Sequence, residues 1–248
     1  MRVYSLLILS FIFFISCQKP DDCIKSTGPL TSKSIDVSAF DKIVVYKGIG
    51  LVINQGSEYK VEVKTGENLI NDIQVNLSDR VLSIQDNTTC NWVRDYGQTL
   101  VYITAPNLTD IYSKTEQNII SNGMLTYPNL RLTSMDFFDG YKGVGTGDFI
   151  FNINTDNLTI DSNNVSKFTI NGQTANLNIN VYEGNGIIDT KNLFSDSINI
   201  YHRGSNDIFV HPINSIFGNL YNVGNIIASS TPEIIEVTSH YSGKLIFD

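Results

Sequence analysis

NLNINVYEGNGIIDTKNLFSDSINIYHRGSNDIFV, residues 176–210, holds the pattern on which the fold turns. An alternating apolar stretch runs into a tyrosine-led polar turn with glycine, a second apolar stretch follows, and the order begins again. Leu177, Ile179 and Val181, then Ile198 and Ile200, then Ile208 and Val210, lie two residues apart, the spacing of side chains on one face of a strand. A two-strand unit of this size cannot bury its apolar face alone. Neighbours must stack and share one core, with glycine and asparagine taking the tight corners.

Outward from that stretch, Asn-Leu-type entries recur about every 20 residues. They fall at Asn107-Leu108, Asn129-Leu130, Asn157-Leu158, Asn176-Leu177, Asn192-Leu193, Asn214-Ser215 and Glu233-Ile234. The turns align as YKGVGTGDFIF, YEGNGII, YHRGSNDIF, YNVGNII and HYSGKLIF. The longest gap, between Asn129 and Asn157, holds the turn-rich insertion DFFDGYKGVGTGD. Residues 107–248 are therefore expected to form a parallel β-helix or β-solenoid. An antiparallel meander rolled into a sandwich is the alternative, because Gly-Asn-Gly and Gly-Ser-Asn also close hairpins. Residues 34–106 read as further short strands, KIVVY, GLVIN, YKVEVKT, IQVNL, RVLSIQD and TLVYIT among them, with room for one helical turn at Glu67–Asp72.

The opening residues set the compartment. Arg2 precedes an apolar run from Val3 to Ile15 and then Ser16-Cys17, the layout of a secretory signal, and shorter than the roughly 20 apolar residues of a membrane-spanning helix. Phe14-Ile15-Ser16-Cys17 resembles a bacterial lipobox, which makes residues 1–16 a lipoprotein signal peptide and Cys17 the lipidated residue. Residues 17–33 then form the tether, and Lys19-Pro20-Asp21-Asp22 resembles the export signal of surface lipoproteins in Bacteroidetes. The expected location is the outer membrane at the cell surface, with a periplasm-facing anchor as the alternative. Removing Arg2 takes the formal charge from −8 to −9, and an acidic surface repels phosphates, so nucleic acid is not an expected partner. The expected partners are the membrane, through the lipid, and a glycan or an envelope protein.

Cys23 and Cys90 are the remaining cysteines of an exported chain and are predicted to bridge. Closing that loop would stabilise the fold by about 4 kcal/mol in the chain-entropy model.

The turns GxGx[IL], the opening Phe40-Asp41-Lys42-Ile43-Val44-Val45, the segment VYITAPNL at residues 101–108 and the ending Gly243-Lys244-Leu245-Ile246 together resemble the DUF2807 family, described as "putative auto-transporter adhesin, head GIN domain". CIKSTG with CNWVR, residues 23–28 and 90–94, is similar to a Bacteroidetes lipoprotein subgroup of it. The resemblance spans residues 34–248 and implies a β-solenoid at the cell surface or in the periplasm. This chain departs from the family where the Ser-Gly turns carry tyrosine and asparagine instead.

Four tyrosines are the candidate ligand-binding residues. Tyr182, Tyr201, Tyr221 and Tyr241 are 19 or 20 residues apart and would form a column one coil at a time, with Tyr141 as an extension. Exposed rings at the spacing of neighbouring strands, about 4.8 Å, can stack on sugars; the same column turned inward would only stiffen the coils. Asp136, Asp139 and Asp148 around Gly143, Gly145 and Gly147 partly resemble a calcium repeat, but Thr146 stands where glycine is wanted and the motif is not tandem, so no metal is expected. His202, His211 and His240 lack metal spacing and read as turn or surface residues. No cofactor motif appears, and the scattered carboxylates do not form the acid and base pair that a polysaccharide-cleaving site requires. The chain reads as a binding or adhesion module, with a structural or assembly protein as the alternative and an enzyme disfavoured.

Overall fold

The computed structural model describes residues 20–248, which form an all-β protein with one short helix, α1 (Pro20–Ile24). The first strands are β1 (Leu30–Ile35), β2 (Lys42–Tyr46), β3 (Ile49–Gln55), β4 (Lys60–Gly66), β5 (Ile73–Ser78), β6 (Val81–Asp86), β7 (Thr99–Ala105), β8 (Asp110–Lys114), β9 (Ile119–Leu125) and β10 (Asn129–Ser134). A small hairpin, β11 (Phe137–Phe138) and β12 (Tyr141–Lys142), comes next. Four long strands follow: β13 (Phe149–Ser162), β14 (Lys167–Val181), β15 (Ile187–His202) and β16 (Ile208–Leu220). The last three are β17 (Ile226–Ala228), β18 (Ile234–Ser239) and β19 (Leu245–Phe247). Apart from the hairpin, all of them join one 17-stranded, mostly parallel sheet that curls nearly into a barrel.

Every pairing between β8–β10 and β13–β19 is parallel, so the antiparallel meander is not the arrangement of residues 107–248. The long strands each serve two stretches of sheet. The first half of β13 pairs with β9 and the second half with β10, the chain bending between Thr155 and Asn157. In-register pairing then puts like on like: Leu130, Leu158, Leu177, Ile198 and Ile216 face one another in turn, as do Ile111, Leu132, Ile160, Ile179 and Ile200. All ten are buried, in line with the alternation read from the sequence. On the other stretch the rings of Phe149 and Phe168 stack with centroids 4.5 Å apart.

The true register corrects the repeat units. Leu177 pairs with Ile198 and Asn176 with Ser197, so the unit equivalent to Asn176-Leu177 begins at Ser197-Ile198, whereas Asn192 sits opposite Asn171. Ser215-Ile216 and Ile234-Ile235 are the next equivalents, one residue later than the sequence entries suggested. A bulge between Thr169 and Asn171 absorbs the extra residue of β15, which the sequence does not announce.

Residues 34–106 and 107–248 share this sheet and one apolar core. Stack order is not chain order, however. β2 lies between β6 and β8, and β3 between β7 and β9, so the first pair of strands is clasped by the second and third pairs. At that end the strands turn antiparallel: β4 covers β7, β1 covers β4, and β5 covers β6. The Cys23–Cys90 disulfide ties α1 to this end.

Gly172 shows how closely the stacked backbones approach. It has a φ of +118°, and a Cβ added there would lie 1.9 Å from the carbonyl oxygen of Ile153 on the neighbouring strand. A Gly172→Ala variant should lower stability by clearly more than the ~1 kcal/mol of an average point mutation, whereas Asn178→Ala should stay within about 0.5 kcal/mol. Urea-denaturation midpoints at constant m-value measure both.

Candidate functional site: an aromatic file on the outer face

Along β14 to β18, side chains at and near the strand ends build a surface strip. Tyr182 follows Val181 at the end of β14, and its backbone N–H donates to Ser162 O at 2.9 Å. The same step places Arg203 (N–H to Val181 O), Tyr221 (N–H to His202 O) and His240 (N–H to Leu220 O) at the equivalent point of successive strands. Tyr201 is in register with Asn180 and Asn219, two residues before Tyr182 and Tyr221.

The rings nevertheless touch in sequence. Tyr182 and Tyr201 have centroids 5.7 Å apart, Tyr201 and Tyr221 5.3 Å, both pairs tilted by about 45°. Tyr221 and His240 stack at 4.3 Å with planes 3° apart. The fourth ring is thus His240 and not Tyr241, which is 69% exposed and makes no ring contact among the described residues. Tyr182 and Tyr221 are about two-fifths exposed and Tyr201 is half-buried, so the file presents ring edges and faces to solvent. His240 is held by Asn219 Oδ1 at 2.9 Å from its Nε2, which places the donor on that nitrogen.

Polar side chains also bond from strand to strand, beside Tyr182 and, six residues earlier in the chain, at Asn176. The Asn180 amide donates to Asp161 Oδ1 at 3.0 Å and the Tyr182 hydroxyl to the same oxygen at 3.4 Å. Asn176 donates to Asn157 and Asn157 to Asn129, at 2.9 and 2.8 Å. Asparagine thus serves as a rung between coils as well as a corner residue.

The insertion after β10 closes the other end of the strip. Its hairpin lies over the outward ring of Tyr112, with Phe138 and Tyr141 each 5.6 Å from it, and Arg131 stands over Phe138 at 5.6 Å. Tyr141 therefore joins this separate aromatic patch and does not prolong the tyrosine file. Burial, with the Asp110 carboxylate beside it, pushes the Tyr112 hydroxyl far above its usual range. Sequence reasoning missed Tyr112, Arg131 and Asp161. The available clue was an aromatic residue at an outward position of DIYSK beside an insertion containing three more aromatics.

Asp161 is the group that joins patch and file. It points outward from β13 yet is buried, and its Oδ2 lies 3.5 Å from Arg131 Nε. Burial raises its carboxyl above the ordinary value despite Arg131, Asn180 and Tyr182, which all favour the charge. His202 is also buried, contrary to its reading as a turn or surface residue. Its Nδ1 accepts from Gly204 N–H at 3.3 Å and its Nε2 donates to Asn206 O at 3.0 Å, a neutral imidazole whose pKa burial depresses. His211 instead meets Ser229 Oγ at 2.9 Å and the ring of Phe194 at 4.4 Å.

Asp136 accepts from Phe137 N–H and from the Asn163 amide, and Asp148 Oδ1 from Lys167 N–H at 3.3 Å, so both serve the insertion's own structure. Among the described residues no three His, Cys, Asp or Glu side chains converge as a metal site. Cys17 lies outside the described residues.

For Asp161 the folded-state pKa lies above the unfolded one, so the folded protein holds the proton more tightly. Its contribution to stability is full below about pH 4 and is lost as pH rises through the raised value. Asp161→Asn should therefore gain on the parent between pH 3.5 and pH 7 when the two are compared by urea denaturation at each pH. An unchanged difference would mean that Arg131 fully compensates the buried charge.

The comparisons with known proteins agree with this architecture. The family model described as "Putative auto-transporter adhesin, head GIN domain" matches residues 39–232. A crystal structure of a putative adhesin from Bacteroides fragilis superposes with a TM-score of 0.79 at 21% identity, covering 90% of this chain and 99% of that one. A putative adhesin from Parabacteroides distasonis gives 0.66 at 18%, with 90% and 99% covered. Another protein of that organism, titled a putative lipid binding protein, gives 0.61 at 16%, with 89% and 98% covered. At these identities the likeness is one of fold. Among curated proteins none matches the sequence.

Proposed function

The chain belongs to the DUF2807 family of adhesin head GIN domains, and from that premise we propose that it is a lipid-anchored β-solenoid binding module of the bacterial envelope. Its ligand contact is the file of Tyr182, Tyr201, Tyr221 and His240. The observation that carries the reading is the unbroken ring-to-ring contact along an outer face, at 5.7, 5.3 and 4.3 Å, in side chains that remain partly open to solvent. Rings spaced by one strand offer a ladder to a chain of sugar rings, each of which can stack on an aromatic face while its hydroxyls meet the amides alongside. The solenoid reading is supported by parallel, in-register pairing of β13 to β16 and by strands that each serve two stretches of sheet.

Binding is favoured over catalysis because the carboxylate that touches the file, Asp161, is buried and committed to Arg131, Asn180 and Tyr182. The anchor rests on Cys17 and its preceding lipobox-like residues, which makes the membrane one partner and the outer membrane the place, at the cell surface or facing the periplasm. A second reading, as an assembly component, draws on the far end of the sheet. There β18 and β19 each pair on one side only and leave Ile234, Ile235, Ile246 and Phe247 exposed.

On a glycan array, the parent should show a set of ligands that Tyr201→Ala and Tyr221→Ala each weaken by about tenfold, the worth of a lost stacking contact of roughly 1.4 kcal/mol. Identical profiles for parent and variants would reduce the file to scaffolding and favour assembly through the apolar end. Metabolic labelling with a palmitate analogue should mark the parent and spare Cys17→Ala; labelling of both would remove the anchor.

A further inference from the structure

The end of the sheet that carries the disulfide also carries a tight knot of backbone contacts. Trp92 N–H donates to Cys23 O at 2.9 Å, and the Arg94 guanidinium reaches the carbonyls of Asp22, Lys25 and Cys90 at 2.8 to 2.9 Å. Asn91 and Arg94 bond each other twice, at 2.8 and 2.9 Å, and Asp22 accepts from Thr89. These bonds hold residues 22–25 and 90–94 as one rigid body.

On and beside that body, among the described residues, large side chains stand open to solvent. Trp92 is 79% exposed, Tyr96 78%, Ile24 67% and Val93 60%. Large apolar side chains left open on and beside two segments that a disulfide and backbone bonds join mark an interaction surface. Tryptophan and tyrosine with two aliphatic neighbours are the set that settles at the boundary between lipid headgroups and acyl chains.

The distance along the chain fixes what this surface meets. Cys23 is six residues beyond Cys17, so a fully extended link spans at most about 20 Å. The interfacial zones add only about 5 to 8 Å to each side of the hydrocarbon core. A knot held that near to an acylated cysteine cannot stand far from the bilayer. We propose that Ile24, Trp92, Val93 and Tyr96 form a docking surface for the phospholipid interface, which sets the knot against the membrane and fixes the tilt of the sheet above it. This rests on acylation of Cys17.

Trp92 is the single tryptophan of the chain and reports directly on its own surroundings. The mature acylated protein is reconstituted into phosphatidylethanolamine and phosphatidylglycerol vesicles, with or without bromine on the acyl chains, and its palmitate-analogue label is read from the same sample. Loss of about half of the emission in brominated vesicles relative to plain ones is expected for a ring at the interface. A labelled protein whose emission is equal in both vesicles, and as open to iodide as in buffer, overturns the docking surface and leaves the anchor standing. An unlabelled protein that stays in the aqueous fraction overturns the anchor, and the docking surface falls with it.

Discussion

The constraint on which everything else depends is that equivalent side chains of successive parallel strands must lie directly beside one another. Burying a leucine or isoleucine contributes about 1.5 to 3 kcal/mol, and a one-residue slip would turn every inward side chain of a strand to solvent. The ladders Leu130-Leu158-Leu177-Ile198-Ile216 and Ile111-Leu132-Ile160-Ile179-Ile200 therefore lock the register across five strands each. What happens outside follows from what is locked inside. Asparagine meets asparagine, serine meets serine, and rings meet rings, because the core has already aligned the backbones that carry them.

The two ends of the stack treat their edges differently. Near the disulfide, antiparallel β1, β4 and β5 cover the parallel ladders, and the clasp of β2 and β3 between later strands means that this end cannot peel away in chain order. The outermost strands of this end are then the antiparallel β1 and β5, each paired on one side. The opposite end keeps β18 and β19 open with their isoleucines and Phe247 in view.

Much of this was legible in the sequence, because period-two alternation states which residues share a face. Leu177, Ile179, Val181, Ile198, Ile200, Ile208 and Val210 are all buried as that alternation requires, and the cysteine pair is bridged. Register was harder. The extra residue of β15 is taken up by a bulge, the apparent entry at Asn192 is really a mid-strand position, and Tyr201 lies opposite Asn180 and not Tyr182. At the last coil the tyrosine that spacing singles out is one residue beyond the stacked ring, which is His240. Alternation is also blind to what folds over the outside. That Tyr112 is a covered outward residue depends on a hairpin whose landing place no local pattern specifies, and Asp161 is enclosed by Arg131, Asn180 and Tyr182 from neighbouring strands.

The proposed contact strip has a property that suits attachment more than tight capture. An aromatic contact is worth roughly 0.5 to 1.5 kcal/mol beyond its buried area, so three or four in a row approach the 4 kcal/mol of a millimolar complex. One molecule would hold a sugar chain weakly and reversibly. Many copies confined to one membrane, each meeting the same repeating polymer, would convert weak sites into strong attachment without new contacts, since the second binding event is drawn from a local concentration and not from bulk. An acidic chain with a formal charge of −8 further directs the choice toward neutral ligands, because an anionic polymer would be repelled before the rings could engage. Stacking, which needs no charge on the ligand, is the recognition chemistry that such a surface leaves available.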